Sequence, residues 1–109
     1  MNRTEHQSCI DACLACAVAC DRCAAACLAE PDVAMMARCI ALDMDCASIC
    51  HLAAGYMARD SEFVGELCAL CADVCAACGE ECGKHDHAHC RACAEACRRC
   101  ADECRAMAS

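Results

Sequence analysis

Cysteines recur along this 109-residue chain in alternating steps of three and four residues. Residues 9–27, 68–82 and 90–104 each carry an unbroken series, and residues 39–50 carry a series in which Asp43 replaces one cysteine. Steps that average 3.5 residues place all the cysteines of a segment on one face of an α-helix, as in helices that pack together. Four such segments predict four packed helices.

Capping and helix-breaking residues separate the four segments. We predict helices over about residues 4–29, 32–59, 61–84 and 87–108, within one domain covering 1–109. Connections this short favour antiparallel neighbours, so the predicted fold is all-α, an up-down-up-down four-helix bundle with a cysteine-lined core. The predicted caps and breaks are Thr4 with Gln7, Pro31–Asp32, Asp60–Ser61, Gly83–Lys84, and Asp86 or His87.

The 19 cysteines need a chemical explanation. Short cysteine side chains fill the space between helix axes about 8–10 Å apart less well than leucine does, which argues against a purely structural role. A disulfide scaffold is disfavoured because the number is odd and neighbouring cysteines lie mostly on one helix. There the Cβ atoms are about 5–6 Å apart, whereas a disulfide needs roughly 3.5–4.5 Å. Metal binding is the remaining interpretation.

Thiolates select Cu(I), zinc and iron–sulfur clusters. The compact Cys-x2-Cys-x2-Cys series typical of iron–sulfur proteins does not occur in the sequence. If each Cu(I) binds two thiolates and each thiolate bridges two Cu(I) ions, the numbers of copper ions and sulfurs are equal. Each Cu⁺ then replaces one thiol proton, so the core stays neutral. Zinc needs more than two sulfurs per ion, so negative charge accumulates in a place where charge is costly. A linear copper site would hold two sulfurs roughly 4.6 Å apart, twice a bond of ~2.3 Å.

These stripes resemble the cysteine-lined four-helix bundles of the bacterial copper storage proteins, over essentially the whole chain. The resemblance implies storage of many Cu(I) ions inside each bundle and assembly into a homotetramer. Helix 2 departs from the full stripe, since Asp43, Met36 and Met57 take stripe positions. The expected thiolate ligands are Cys9, Cys13, Cys16, Cys20, Cys23, Cys27, Cys39, Cys46, Cys50, Cys68, Cys71, Cys75, Cys78, Cys82, Cys90, Cys93, Cys97, Cys100 and Cys104.

Continuing each cysteine stripe by steps of three or four residues shows which residues lie at the two ends of the core. The two ends differ in composition. We call one of them the histidine end; it contains Met36, His85, His87 and His89. These side chains are softer and weaker ligands than buried thiolates, so they are suited to capturing copper. The first thiols that could receive the copper from them are Cys27, Cys39, Cys82 and Cys90. The alternative is that the histidines only cap the turn between helices 3 and 4. At the opposite end (His6, Met57, Val64 and Met107), we expect a hydrophobic plug that includes Leu52, Tyr56, Phe63 and Leu67.

Two residues near the stripes have other expected roles. Asp43 is either turned to the edge of the bundle or hydrogen-bonded to a thiol. His51 follows the stripe residue Cys50 by one position, so a surface location is expected for it rather than metal ligation.

Charge and hydropathy limit the partners. The net charge is −8, the pI is about 4.9, and the longest cluster of basic residues is Arg98-Arg99. Binding to nucleic acid or to an anionic membrane is therefore not expected, and the longest apolar run is too short to span a bilayer. If Met1 is the natural start, the N-terminus lacks a secretion signal, which predicts a cytoplasmic protein.

The predicted function is cytosolic storage and sequestration of Cu(I), with copper donor or acceptor proteins as possible partners. No catalytic activity is expected, because no Cys–His nucleophile pair stands apart from the stripes. The alternatives are a zinc or cadmium thiolate buffer and, from a different class, an iron–sulfur electron carrier.

Overall fold

The computed structural model describes residues 3–108, with side chains from His6 onwards. Within that range the chain forms four α-helices and one short 3-10 helix, and no strands. The predicted all-α fold is confirmed. The α-helices are α1 (Arg3–Leu28), α2 (Ala37–Ala58), α3 (Val64–Cys82) and α4 (Ala88–Met107), and the 3-10 helix is Val33–Met36.

The connections between helices differ in detail from the predicted caps. The segment expected to open helix 2 is the 3-10 helix, and the side chain of Asp32 makes no capping hydrogen bond there among the described contacts. The prediction for Asp32 is therefore wrong, and its carboxylate faces His87 instead, at 3.3 Å. The side chain of Thr4 lies outside the described residues, and Gln7 donates to Asp11 at 2.8 Å.

A tight turn joins α2 to α3. Asp60 adopts a left-handed backbone conformation with φ of 56°, which aspartate tolerates better than most residues. The backbone N–H of Ser61 then reaches back to the carbonyl of Tyr56 at 3.0 Å. The predicted Asp60–Ser61 cap of helix 3 is wrong, because Phe63 directly precedes α3 and no side-chain capping hydrogen bond is described there. The Ser61 hydroxyl instead stabilises the turn by accepting a hydrogen bond from the N–H of Phe63 at 3.1 Å.

Each α-helix packs against two neighbours in a square arrangement. Close backbone approaches join α1 to α2, α2 to α3, α3 to α4 and α4 to α1, and within residues 3–108 the backbones of diagonal helices stay apart. Core side chains do meet across the diagonal, as Cys46 on α2 and Cys97 on α4 do at 4.0 Å. Small residues on the sides of the cysteine stripes allow this close approach. At Gly79, for example, an added Cβ would lie 3.2 Å from the Cβ of Cys97 on α4. The described chain is 46 Å long and 18 Å across in both other directions.

The core of this bundle is made of cysteine. Every cysteine is buried, with Cys9 at 2% exposure and the others at 0%. Alanines such as Ala17 and Ala53 flank them, and Met36 and Met57 occupy stripe positions near the two ends. The stripes predicted from the 3-and-4 spacing therefore all face inward.

Apolar side chains also remain on the outside of the bundle. Leu52, Phe63 and Leu70 are 49%, 55% and 55% exposed. The expectation that Leu52 and Phe63 belong to a plug over the end of the core is wrong, because both lie off the stripe positions and face outward. Met57, Val64 and His6 are the buried residues there. Within residues 3–108 no helix has the length and apolar character needed to cross a membrane.

Candidate metal centre

The inward-facing cysteines form a continuous column of reduced thiols. All are free, and neighbouring Sγ atoms lie between 3.3 Å (Cys39 to Cys82) and 4.0 Å (Cys46 to Cys97) apart. Some of these contacts join cysteines on two helices, and others join cysteines on the same helix. Cys16, for example, lies 3.6 Å from Cys46 on α2 and 3.9 Å from Cys20 on α1. The column therefore links all four helices.

The thiols gather into groups of four that share members. Ligand atoms in each group lie within 4.8 Å of one another, and Cys16, Cys20, Cys46 and Cys97 each belong to at least two groups. Shared thiols are what bridging thiolates require, so the arrangement fits a multinuclear cluster better than separate sites. The groups include Cys13, Cys71, Cys100 and Cys104; Cys16, Cys20, Cys46 and Cys97; Cys16, Cys46, Cys50 and Cys75; and Cys20, Cys78, Cys93 and Cys97.

The closest sulfur pairs along a helix can be compared with the spacings that metal sites need. Several pairs four residues apart, such as Cys71 and Cys75, have Sγ atoms 3.8–3.9 Å apart. That is shorter than the separation of roughly 4.6 Å that a linear two-thiolate site requires, and close to the roughly 4.0 Å between sulfurs in a planar three-thiolate site with bonds of ~2.3 Å. Such a pair would have to open by about 0.7 Å to hold an ion linearly.

Burial favours the protonated form of two thiols near the histidine end. It raises the pKa of Cys90 to about 11 and raises the pKa of Cys39 further. A metal ion that binds here must displace thiol protons, and the free energy of that exchange is favourable for soft cations with strong affinity for sulfur.

Asp43 is the one carboxyl group inside the thiol column of the described bundle. It is fully buried, and its Oδ1 accepts hydrogen bonds from Cys78 at 3.2 Å, Cys93 at 3.2 Å and Cys82 at 3.3 Å. Of the two locations that the sequence left open, the structure shows the hydrogen-bonded one. Desolvation, followed by the nearby Cys93 and Cys78 sulfurs, raises the pKa of Asp43 to about 9. The group is therefore an uncharged carboxylic acid at neutral pH.

His89 closes the column at the histidine end. Its Nδ1 lies 3.5 Å from the Sγ atoms of Cys23 and Cys90 and 3.9 Å from that of Cys27. These four residues form a further group that could hold a metal ion, with three sulfurs and one nitrogen. The other ring nitrogen, Nε2, lies 3.0 Å from Oε2 of Glu30.

The other residues predicted at this end have different partners. Both ring nitrogens of His87 face carboxylates, Nδ1 towards Glu30 at 3.4 Å and Nε2 towards Asp32 at 3.3 Å. The Nε2 of His85 lies 3.0 Å from Glu81, and Met36 is fully buried. Of the three histidines, only His89 has hydrogen bonds to thiols among the described contacts.

Two carboxylates at this end were missed by the sequence analysis. Glu81, near the end of α3, precedes His85 by four residues, a spacing that would have suggested the pair. Glu30 contacts His87 and His89 across 57 and 59 residues of chain, and no local pattern marks it.

His6 and His51 show contrasting environments far from this end. His6 is 1% exposed, and its Nδ1–H donates to the carbonyl oxygen of Met57 at 2.9 Å, which ties the start of α1 to the end of α2. His51 is exposed, as expected from its position beside the stripe.

Comparison with protein families matches this architecture. The sequence model of the family described as copper storage protein matches residues 2–109. A cysteine-rich protein of Bacillus subtilis (strain 168), YhjQ, is 54% identical over 103 residues, which cover 94% of this chain and 95% of that protein.

Two solved structures are similar over nearly their full length. The Cu(I)-bound copper storage protein BsCsp3 is 53% identical with a TM-score of 0.93, covering 96% of this chain and 99% of that one. A cytosolic copper storage protein from Streptomyces lividans, solved with five coppers, is 46% identical with a TM-score of 0.93, covering 97% of this chain and 93% of that one.

Proposed function

This chain belongs to the copper storage protein family, and we propose that it sequesters many Cu(I) ions among the thiolates of its bundle core, in the cytoplasm and without catalytic turnover. The observation that carries the proposal is the column of buried, reduced cysteines whose groups of four share members. Similar proteins have been solved with Cu(I) or with five coppers bound, and the Streptomyces lividans protein is cytosolic.

Charge supports copper over zinc. Each Cu⁺ that enters replaces one thiol proton, so a core with one copper per thiolate stays neutral, and Asp43 adds no charge while it is protonated. Zinc bound by four thiolates, even with bridging, leaves net negative charge in a core with almost no exposure to solvent. Uncompensated buried charge costs several kcal/mol per ion even after relaxation, on the order of a whole domain's stability.

We infer that copper enters at the histidine end. His89 offers a nitrogen within hydrogen-bonding distance of three thiols, so an ion captured there already touches the column. From Cys23, Cys27 and Cys90 it can pass to deeper sulfurs through bridging thiolates. His85 and His87 contact carboxylates at the rim in the metal-free protein, and Met36 offers a fully buried, soft thioether.

Assembly into a homotetramer is part of the proposal. Leu52, Phe63 and Leu70 lie close together in the outer α2–α3 region, where surface depressions of about 440 and 380 Å³ are lined by these residues together with Tyr56, Leu67 and Val74. Exposed apolar patches of this kind favour association with another protein surface. A second copy of the same chain is the proposed occupant.

Anaerobic titration with Cu(I) and Zn²⁺ in turn, followed by gel filtration and metal analysis, tests the storage function. The expected result is many copper ions per chain that remain bound in the presence of a weak chelator, with few zinc ions retained. A protein that loses its copper to the chelator but keeps a small, fixed number of zinc ions would contradict storage and favour a zinc buffer. Visible absorption with reversible reduction would instead indicate an iron–sulfur protein.

A further inference from the structure

Glu30 lies directly outside the copper-capture group, in the turn between α1 and the 3-10 helix. Its side chain is 26% exposed, and its Oε2 lies 3.0 Å from Nε2 of His89. Pro31 follows it and restricts the backbone at that point. The carboxylate is therefore a fixed acceptor on the outer side of the His89 ring, while the thiols lie on the inner side.

His87 holds this carboxylate from a second direction. Its Nδ1 lies 3.4 Å from the same Oε2 of Glu30, and its Nε2 lies 3.3 Å from Asp32. The rings of His87 and His89 are stacked, with centroids 5.2 Å apart and planes 5° from parallel. The contacts to Glu30 and the stacking together restrict rotation of the His89 ring.

The hydrogen bond to Glu30 decides which nitrogen of His89 has a free lone pair. A carboxylate oxygen can only accept, so in the neutral imidazole the ring hydrogen lies on Nε2 and the lone pair on Nδ1. Nδ1 is the atom that faces Cys23 and Cys90 at 3.5 Å. A partner on the outer nitrogen that fixes both tautomer and ring orientation is what metal-binding histidines generally require.

We propose that Glu30 is a positioning residue for copper capture: it holds His89 in the Nε2–H tautomer with Nδ1 directed at the first thiols of the core. This inference rests on the proposed copper route through His89. In the capture step the Nδ1 lone pair and the sulfurs bind Cu⁺, and each thiol that becomes a thiolate releases its proton to water. No electron is transferred, and copper remains Cu(I).

The tautomer can be measured without copper. In reduced, metal-free protein with ¹⁵N-labelled histidine, at a pH where imidazole is neutral, two-bond ¹⁵N–¹H correlations distinguish a protonated Nε2 from a protonated Nδ1. We expect His89 in the wild type to be the Nε2–H tautomer, and Glu30→Ala to give a mixture of the two. Unchanged His89 signals in Glu30→Ala would overturn the proposal.

The rate of Cu(I) loading in variants of Glu30 can then show whether the length or the charge of this side chain matters. Gln keeps the length and an accepting oxygen but loses the charge, whereas Asp keeps the charge but loses reach. If Glu30 positions the ring, Glu30→Ala and Glu30→Asp should slow the first loading phase about tenfold, and Glu30→Gln should retain most of the rate. If Glu30→Asp loads like wild type and Glu30→Gln like Glu30→Ala, the carboxylate only attracts the cation and the proposal is wrong. Asp32→Asn is the matched control, because Asp32 contacts His87 and not His89.

A double substitution separates this proposal from the proposed route. Glu30→Ala combined with His89→Ala should load no more slowly than His89→Ala alone, because Glu30 acts through that ring. A further slowing in the double variant would show that Glu30 acts by another path and would overturn the proposal. If His89→Ala alone loads at the wild-type rate, the copper route is wrong, whereas the tautomer measurement still reports on Glu30.

Discussion

Replacing Asp43 by asparagine is expected to stabilise the metal-free protein and to change how its stability depends on pH. The pKa of Asp43 is about 9 in the folded chain, against an ordinary value of 3.8. Between those values the folded chain holds a proton that the unfolded chain releases. Stability of the wild type must therefore fall as the pH rises from about 4 towards 9.

The size of this loss of stability depends on how far the pH lies above the ordinary pKa of aspartate. Each pH unit is equivalent to about 1.4 kcal/mol, so at about pH 7 the wild type loses up to about 4 kcal/mol relative to acid conditions. Asparagine is uncharged in both states and carries no such loss. Its amide oxygen can still accept hydrogen bonds from the thiols of Cys78, Cys82 and Cys93. At about pH 4 the two proteins should have nearly equal stability.

Chemical unfolding of reduced, metal-free protein followed by circular dichroism at several pH values measures this difference. The matched control is Asp21→Asn, which removes an exposed carboxylate from α1, away from the proposed tetramer surface, and should change stability by no more than about 0.5 kcal/mol. A stability gap between Asp43→Asn and wild type that stays constant from acid to neutral pH would refute the reasoning. It would mean that Asp43 is ionised in the folded core.

Three further predictions concern folding and assembly. The reduced metal-free protein should give a strongly helical far-UV circular dichroism spectrum, because neutral thiols and alanines already fill the core; a random-coil spectrum would contradict this. Gly79→Ala should destabilise the bundle by about 1–3 kcal/mol in thermal unfolding, because the new Cβ would lie 3.2 Å from the Cβ of Cys97 and 3.4 Å from the carbonyl oxygen of Ala94. Gly65→Ala is the control and should not destabilise it, since the nearest atom to its new Cβ is 3.8 Å away. Leu70→Glu should dissociate the proposed tetramer in light scattering, while the same change at Leu28, 63% exposed at the end of α1, should leave it intact.

The repeated spacing of cysteine made the fold predictable. Steps of three and four residues permit one inward-facing stripe per helix, and the short breaks leave little freedom in connecting the helices. The same spacing located every thiol of the core, because the position of a stripe residue depends on helix geometry and not on its neighbours across the bundle. The outward direction of Phe63 was missed because it lies one residue before the stripe position of Val64, in a turn where the helical register does not apply.

Contacts between side chains on different helices could not be predicted from the sequence. The stripe placed Asp43 beside the core, but three of the four thiols that bond to it come from α3 and α4, and their side-chain directions are set by packing. The contact between Glu30 and His89 likewise depends on how the turn after α1 meets the start of α4 at one end of the bundle. Such contacts join residues that are far apart in the chain, where hydropathy patterns carry no information.

The central claim is that Cu(I) is held along the axis of the bundle by core thiolates. Diffraction from crystals of the copper-loaded protein, with anomalous data collected at the copper absorption edge, tests it most directly. We predict a row of copper peaks between the sulfur atoms from the level of Cys9 and Cys104 to that of Cys27 and Cys90, approaching one copper per thiolate. Copper confined to the histidines at the rim, with the core sulfurs still 3.3–4.0 Å apart and empty of metal, would contradict the account.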